Sequence, residues 1–233
     1  MHARGRRALL PVGAAVVLAL TSCGGDGGDG VADPAAALES AGQLLDEASS
    51  VRFTVDGSDL PDSGTVVVAA EGVAVPPDSF DGEIRIRSGA LPATIPVVSV
   101  DGRLWAQLPL TDGYEEITAD DIDFGDPGAL IDPEQGVSSL LTAGSDVTSA
   151  GQVRVDGDVY DQVESVLPGK TVDRILAISD PGAEIQATWA LDPESGRLRR
   201  ATLTGAFYPG GEQTYTVRLD DYDAPAEISA PTG

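Results

Sequence analysis

The sequence is short of the residues that carry most enzyme chemistry. Its one histidine is His2, its one cysteine is Cys23 and its one lysine is Lys170. Because His2 precedes the predicted mature N-terminus, the mature chain has no imidazole, which excludes Ser-His-Asp and Cys-His catalysis and histidine metal sites. Lys170 follows no SxxK pattern, and no GxSxG, Walker or GxGxxG motif occurs. We therefore expect no enzymatic activity and no cofactor, with paired carboxylates as the one catalytic alternative.

Aromatic residues and positive charges are also scarce. Phe, Trp and Tyr make up 5% of the chain, which is few for a glycan-binding protein, and the formal net charge is -24. Such an acidic surface is repelled by phosphates, so the composition argues against nucleic acid and against anionic lipid headgroups as partners. By itself the acidity indicates solubility and no specific partner. Hydrophobic residues, at 42%, suffice for a core.

The N-terminal segment has the parts of a bacterial lipoprotein signal in their required order. Three arginines precede an apolar run over residues 8–20, which is shorter than the ~20 residues that span a bilayer as a helix. Residues 1–22 are therefore predicted to be a cleaved signal peptide. Leu20, Thr21 and Ser22 lead directly to Cys23, as in a lipobox, where the cysteine is acylated and becomes the mature N-terminus. An ordinary secreted protein with one free thiol is the alternative.

Glycine and aspartate alone make up residues 24–30, a composition typical of a flexible tether. A glycine-rich coil of about ten residues spans roughly 18 Å, so residues 23–33 would hold a folded domain just off the membrane. The predicted location is the extracytoplasmic face of the cell membrane, to which the acylated Cys23 anchors the chain. The remaining length fits one domain of the larger kind or two small ones.

The first half of this remainder predicts one helix followed by strands. Asp33-Pro34 predicts an N-cap and a first helical residue, and apolar residues then recur at three and four residue steps. The period changes to two over VRFTVDG, TVVVAAEGVAV, GEIRIRSG, TIPVVSV and RLWAQLPL, and Asp101-Gly102 predicts a hairpin. Pro92 and Pro96 lack N–H groups, so TIPVVSV is predicted to be an edge or bulged strand.

The second half predicts further helices and a closing meander. DPGALIDPEQGVSSLLTAG, residues 126–144, contains two Asp-Pro pairs and predicts two short helices. GQVRV and DVYDQVESVL are predicted strands around an Asp156-Gly157 hairpin, and KTVDRILAI is a predicted helix. AEIQATWALD, GRLRRATLTGAF and EQTYTVRLDDY predict three final strands. This order predicts an α+β fold in which helices pack on one face of a single large antiparallel sheet.

One acidic stretch suggests a calcium loop. ADDIDFGDPGALID places Asp121, Asp123 and Asp132 at the first, third and twelfth positions of such a loop. The fifth position is Gly125, and the sixth, where the turn requires glycine, is Asp126. Because the pattern fails where the backbone is most constrained, and because helix capping explains Asp126 and Asp132, we predict no metal site.

The order of these motifs resembles that of a known family. A lipobox cysteine, a flexible linker, an amphipathic helix and VVSVDGRLWAQLP are followed by DPGALIDPEQGVSSLL and GQVRVDGDVYDQVES. The set is similar to the LppX/LprA/LprF/LprG lipoproteins of mycobacteria and related actinobacteria. The resemblance implies one lipid-binding domain over residues 34–229, with residues 230–233 as a C-terminal tail. It also implies a strongly curved antiparallel sheet, a half barrel, whose concave face is closed by helices around an apolar cavity.

The resemblance further implies a function, because family members bind acyl chains of glycolipids, phospholipids or triacylglycerol and move them toward the outer envelope without covalent chemistry. Carried over by position, the cavity candidates lie on two strands and the covering helices, and each could instead be plain core. They are Ile84, Ile86, Leu104, Ala106, Leu108, Leu130, Val137, Leu140 and Leu141.

The predicted function is therefore that of a membrane-anchored carrier whose ligand is a di- or triacylated lipid. The alternative is an accessory lipoprotein with a collapsed core, which assists a membrane transporter or envelope assembly. A cavity large enough for two chains distinguishes the carrier from the accessory protein. Carboxylates that converge in a cleft would instead favour an envelope hydrolase.

Overall fold

The computed structural model describes residues 30–109, 111–118, 127–132, 136–176 and 178–231. The predicted signal peptide, Cys23 and most of the tether lie outside the described residues, as do Asp121, Asp123 and Asp126 of the calcium loop. The helices are α1 (Pro34–Asp46), a 3-10 helix (Pro127–Ile131), α2 (Val137–Ala143) and α3 (Gly169–Val172). The strands are β1 (Val51–Ser58), β2 (Thr65–Val75), β3 (Ser79–Ser88), β4 (Leu91–Val100), β5 (Arg103–Ala106), β6 (Glu115–Ile117), β7 (Ser145–Val155), β8 (Asp158–Pro168), β9 (Glu184–Leu191), β10 (Leu198–Gly205) and β11 (Gln213–Asp220).

The strands form one antiparallel sheet, as the sequence predicts. Its order is β6-β5-β4-β3-β2-β1-β11-β10-β9-β8-β7. Strand β1 pairs with β2 on one side and with β11 on the other, so it joins an N-terminal and a C-terminal meander. The sheet is not closed among the described residues, because β6 and β7 are its two edges.

Period-two patterns give the sheet an inner and an outer face. In β1, Val51, Phe53 and Val55 are buried on the inner face, whereas Arg52 and Asp56 are exposed on the outer one. Alternation of this kind is expected for an antiparallel sheet with one face in water. The inner-face residues of most strands, with buried residues of α1 and α2, make up one hydrophobic core.

The predicted Asp-Gly hairpins are confirmed. Asp101 and Gly102 have φ values of 53° and 69°, and Asp156 and Gly157 have values of 52° and 107°. Positive φ at both central residues defines the two-residue turn whose twist matches paired strands.

The edge predicted from the prolines of β4 is confirmed for the half of the strand that contains them, on its β5 side. Strand β4 lies between β3 and β5, and its ladder with β3 runs unbroken from Leu91 to Ser99, so it is not bulged. Its ladder with β5 covers only Val97–Val100, however. The Pro96 carbonyl accepts a hydrogen bond from Gln107 N at 3.0 Å, so the ring nitrogen of Pro96 also faces away from β3. The β3 ladder therefore loses no donor.

Helix α1 is confirmed and α3 is shorter than predicted. Asp33 Oδ1 accepts a hydrogen bond from Ala36 N at 3.1 Å, and Pro34 is the first helical residue. The predicted helix in KTVDRILAI ends at Val172. The Asp173 carboxylate accepts a hydrogen bond from Ile178 N at 3.1 Å, which turns the chain back on itself.

The described part of the core lies C-terminal to the predicted tether. Both hydrophobic clusters are composed of side chains between Val31 and Tyr222. A protein that begins at Gly30 therefore carries this whole core.

Candidate functional site

An apolar pocket of about 410 Å³ lies between the helices and the inner face of the sheet. Its floor comes from strands β1, β2, β9, β10 and β11, and its cover from the helices and from the loops that precede β9 and β11. The floor residues are Val51, Phe53, Val55, Val67, Trp189, Ala201, Leu203, Tyr215, Val217 and Leu219. The covering residues are Leu45, Leu130, Ile131, Val137, Leu140, Ile175, Leu176, Ile178, Ser179, Phe207, Tyr208 and Pro209.

Strand register brings the floor together. Phe53 pairs with Leu219 and Val55 with Val217, and Val217 pairs in turn with Ala201 of β10. Directly opposed residues of neighbouring strands point to the same face, so these side chains form one apolar surface. Ala201 is the smallest side chain of the floor, and it leaves space above the strand.

The mouth of the pocket lies where two loops meet. Ser179 and Pro209 are exposed, and Ile175, Leu176 and Tyr208 are half-buried, although all five line the pocket. Ser179 N donates to the backbone carbonyls of Ala206 and Phe207 at 3.1 and 3.0 Å, so the two loops are hydrogen-bonded to each other.

Each polar side chain of the pocket wall has a partner within the protein. The Trp189 indole donates to Ser165 Oγ at 2.9 Å, and Ser179 Oγ donates to the Ala206 carbonyl at 2.8 Å. No charged side chain is present among the described residues of the wall. A ligand in this pocket therefore meets mainly apolar surface and no unpaired polar side chain among the described residues.

Two tyrosines satisfy the backbone at a bulge in β2. The ladder between β2 and β3 shifts register between Val67, which pairs with Ile86, and Ala69. The ladder between β1 and β2 ends at the pair Asp56–Ala69, so Val67 has no ladder partner on β1. Val67 N donates to the Tyr208 hydroxyl at 2.9 Å, and the Tyr215 hydroxyl donates to Val67 O at 2.8 Å. The two hydroxyl oxygens are 3.0 Å apart, so Tyr208 donates to Tyr215 and the ring of three hydrogen bonds closes.

This ring requires a neutral phenol at Tyr215. Burial raises the pKa of Tyr215 well above its ordinary value of 10.0, and the hydrogen bond with Tyr208 raises it further. The Tyr215 hydroxyl thus keeps its proton at physiological pH and acts as a donor.

The predicted cavity residues separate into two groups. Leu130, Val137 and Leu140 lie in the pocket wall. Outside the wall, Leu141 of α2 and Ile84, Leu104 and Ala106 of β3 and β5 are buried in the core, and Ile86 and Leu108 are half-buried against it. Whether any of the nine contacts a lipid stays a prediction.

None of the residues of the pocket floor was among the predicted cavity residues. Phe53, Val55, Tyr215 and Val217 lie in stretches whose period of two predicts strands, so their inward orientation could be found from sequence. Their adjacency depends on the β1–β11 pairing, which joins opposite ends of the chain and leaves no local sequence signal.

The part of the chain that the structure describes contains neither a metal-binding cluster nor a membrane-spanning helix. No group of three or more His, Cys, Asp or Glu residues there could hold a metal ion. No helix there has the length and apolar character needed to cross a membrane.

These features define a class of protein, an α+β fold with one open antiparallel sheet and an uncharged apolar pocket beneath its helices. The profile of a known family, described as LppX_LprAFG lipoprotein, matches residues 33–228. The chain therefore belongs to the LppX_LprAFG lipoprotein family, as its motifs indicate. A search among curated proteins finds no match.

Solved structures of two lipoproteins share the fold. LprF from Mycobacterium bovis is 14% identical in sequence, with a TM-score of 0.70 over 88% of this chain and 99% of that one. The Mycobacterium tuberculosis lipoprotein LppX is 15% identical, with a TM-score of 0.59 over 84% of this chain and 97% of that one. At these identities the likeness establishes the fold alone.

Proposed function

We propose that this protein is a membrane-anchored lipid carrier, which buries acyl chains in the apolar pocket and moves them across the cell envelope without covalent chemistry. The observation that carries the proposal is the pocket wall, whose described residues carry no charge and whose polar side chains are hydrogen-bonded within the protein. Such a site suits a hydrocarbon chain, because a headgroup would find no unpaired donor or acceptor inside.

The volume of the pocket fits one long acyl chain. If a methylene occupies about the volume of a water molecule, roughly 30 Å³, then 410 Å³ holds about 14 methylenes. This volume is smaller than the two-chain cavity that would distinguish a carrier from an accessory protein. A di- or triacylated ligand would bury one chain in the pocket and would require the helices to move apart for the others.

The energetics of burial are those of a reversible carrier. At about 0.8 kcal/mol per methylene, moving about 14 methylenes from water into the pocket is favourable by roughly 11 kcal/mol. Moving the same methylenes from a bilayer into the pocket changes the free energy little, because they are already buried in the bilayer. Release to a membrane is therefore as favourable as uptake from one.

The remaining parts of the proposal concern shape and location. The open sheet would be the half barrel of the family, and the pocket would be the cavity between its concave face and the helices. Acylated Cys23 would anchor the chain on the extracytoplasmic face, and the glycine-aspartate tether would hold the domain near its lipid source.

Native mass spectrometry, on a protein that begins at Gly30 and is expressed in an actinobacterial host, tests the carrier function. We expect a bound lipid that organic extraction removes and identifies. Ala201→Phe and Val137→Trp fill the pocket from its floor and its cover, and each should reduce lipid occupancy at least tenfold. Val147→Trp is the matched control, because Val147 is half-buried on β7 outside the pocket wall.

The accessory-protein alternative gives the opposite result. An apo mass that persists after incubation with envelope lipids would overturn the carrier function. Equal loss of lipid from Ala201→Phe and Val147→Trp would show that the ligand binds elsewhere.

The anchor has a separate test in the full-length chain. Cys23→Ala should abolish incorporation of labelled palmitate and release the protein from the membrane fraction. Continued labelling of Cys23→Ala would overturn the assignment of the attachment site.

A further inference from the structure

The turn between β3 and β4 carries the most exposed large hydrophobic side chain of the described residues. Leu91, the first residue of β4, is 75% exposed, and the only other exposed large hydrophobic residue described is Val159, at 37%. Residues 88–100 carry no charged side chain, although 22% of the whole chain is charged. We call residues 88–93 the β3–β4 tip.

An apolar row connects the β3–β4 tip to the pocket. Leu91 and Ala93 point to the inner face, Ala93 pairs directly with Ile86 of β3, and Ile86 pairs with Val67 of β2, which lines the pocket. Neighbouring strands lie about 4.8 Å apart, so about 10 Å of apolar surface separates Ala93 from the pocket wall. Ala93 and Ile86 are half-buried, so this row is partly open to solvent.

The β3–β4 tip is held rigidly beside the β1–β2 loop. Gly89 N donates to Gly64 O at 2.9 Å, and Arg87 Nη2 donates to Pro61 O at 2.9 Å. Thr65 and Ser88 share a hydroxyl–hydroxyl hydrogen bond of 3.1 Å. Leu91 is therefore displayed on an ordered hairpin and is not the end of a loose loop.

The strand edge next to the tip disfavours a protein strand as the occupant. Because the ladder with β5 begins at Val97, the preceding half of β4 has no strand partner on that side among the described residues. Pro92 and Pro96 lie at positions of the same parity and lack N–H groups. An edge without these donors is a poor template for strand addition, while its apolar side chains remain available.

We propose that the β3–β4 tip docks into the surface of an electrically neutral lipid bilayer, and that acyl chains move between the bilayer and the pocket along the row Leu91–Ala93–Ile86–Val67. A neutral bilayer is the partner because the net charge of -24 repels an anionic surface, whereas the tip itself carries no charge. This inference rests on the proposed lipid-carrier function and adds the surface through which the pocket is loaded.

Transfer of a pyrene-labelled fatty acid from phosphatidylcholine vesicles tests the docking surface. The protein begins at Gly30, so no acyl anchor contributes. Leu91→Asp should slow transfer from the vesicles to the protein about tenfold or more, because the bilayer would have to bury a carboxylate in place of a leucine side chain. Val159→Asp is the matched control, because Val159 lies beside the Asp156-Gly157 turn at the opposite end of the strands, and it should change the rate less than twofold.

The same fatty acid delivered from cyclodextrin separates docking from binding. We expect wild-type protein and Leu91→Asp to bind it equally, because no membrane is involved. If neither protein binds it, the lipid-carrier function fails. If both bind it and both take it from vesicles at the same rate, the docking surface is wrong while the carrier function stands. Loss of cyclodextrin-delivered binding in Leu91→Asp alone would place the residue in the binding site and would also overturn docking.

Leu91→Trp gives a direct reading of membrane contact. Trp105 and Trp189 are buried, so a new exposed indole dominates any change in emission. We expect a blue shift with phosphatidylcholine vesicles and quenching by brominated phosphatidylcholine. An unchanged spectrum would overturn the proposal, as would a dimer in sedimentation velocity that Leu91→Asp dissolves, since a second copy of the chain would then be the occupant.

Discussion

At the scale of the residue, the pocket depends on how its few polar groups are satisfied. The hydroxyls of Tyr208 and Tyr215 complete the hydrogen bonding of Val67 at the β2 bulge. The pocket can remain apolar only because these groups bond with one another. The tyrosines thus act as structural parts of the wall and not as recognition groups for a headgroup.

Removal of either hydroxyl should destabilise the protein. Tyr215→Phe leaves Val67 O unpaired and Tyr208→Phe leaves Val67 N unpaired, and a buried unsatisfied group costs about 1–3 kcal/mol. The double variant should cost less than the sum of the single ones, because the three bonds form one network. Denaturant unfolding measures these free energies.

Tyr160→Phe is the control for the tyrosine variants. Tyr160 is buried in the smaller cluster on β8, and its free-energy change should stay within about 0.5 kcal/mol. Additive losses in the double variant would show that the two hydroxyls act independently.

Asp223 should make stability depend on pH. A hydrogen bond from Ser49 N and the ion pair with Arg197 lower the pKa of Asp223 below its ordinary value of 3.8. Its contribution is therefore present above pH 3.8 and is lost as the pH falls through the lowered pKa. The Tm of Asp223→Asn should lie below that of wild type at pH 7, and the difference should disappear in acid.

Asp62→Asn, on an exposed loop, controls for the loss of one negative charge. Its Tm difference from wild type should not follow this pH profile. A constant difference between wild type and Asp223→Asn from pH 7 to pH 2 would contradict the assigned role of the carboxylate.

At the scale of the element, two glycines allow strands β2 and β3 to pack closely beneath an aromatic pair. Gly72 and Gly82 are paired across β2 and β3, and the rings of Phe53 and Phe80 stack with centroids 5.3 Å apart. A Cβ atom on Gly82 would lie 2.1 Å from the carbonyl oxygen of Glu71 and 2.6 Å from the Phe80 ring. A side chain at this position would therefore displace both backbone and core.

Gly82→Ala should lower the free energy of unfolding by about 1–3 kcal/mol, as expected for an overpacked core. Gly113→Ala is the matched control, because a Cβ there would have no neighbour within 4 Å. Its effect should stay within about 0.5 kcal/mol. Equal stability of the two variants would show that the Phe80 ring moves aside freely.

Sequence patterns were reliable where an element is determined by its own residues. The Asp33-Pro34 cap, the Asp101-Gly102 turn and the alternation in VRFTVDG each describe a local interaction, and each is confirmed. The prolines of β4 predicted an edge but not its extent, because the extent depends on where β5 ends. The helix in KTVDRILAI was overextended because the carboxylate of Asp173 bonds to Ile178 N, which no helical periodicity reveals.

At the scale of the whole molecule, the dominant electrostatic term is repulsion. The net charge of -24 is distributed over a surface whose ion pairs, such as Arg52–Asp221 and Arg218–Asp56, are largely exposed. Exposed pairs contribute about 0–1 kcal/mol each. They cannot offset the repulsion among so many unneutralised carboxylates.

Salt should therefore stabilise the protein. Raising sodium chloride from about 0.01 M to about 1 M shortens the Debye length from about 30 Å to about 3 Å, which screens the repulsion between distant carboxylates. We expect Tm to rise across this range in differential scanning calorimetry at pH 7. A fall in Tm would mean that the exposed ion pairs outweigh the repulsion.

The candidate site could be predicted only in part because it is a property of the whole chain. Leu130, Val137 and Leu140 lie on short local helices whose apolar faces the sequence shows, and these three residues do line the pocket. Ile84 and Leu104 have the same apolar character but lie farther along the sheet from β11. The two sets of residues differ in their place in the fold, which depends on the topology of the sheet. A single sequence does not contain that topology.

The pairing of β1 with β11 also determines when the protein can fold. It brings together parts of the chain that are far apart in sequence. Asp56 and Arg218, for example, are 162 positions apart and their side chains share a hydrogen bond, whereas each hairpin joins residues close in the chain. Contacts so distant in sequence slow folding, because the intervening chain must lose conformational entropy before the contact can form. A chain that ends before β11 lacks Tyr215, Val217 and Leu219, so the pocket wall is complete only when the last strand has paired with β1.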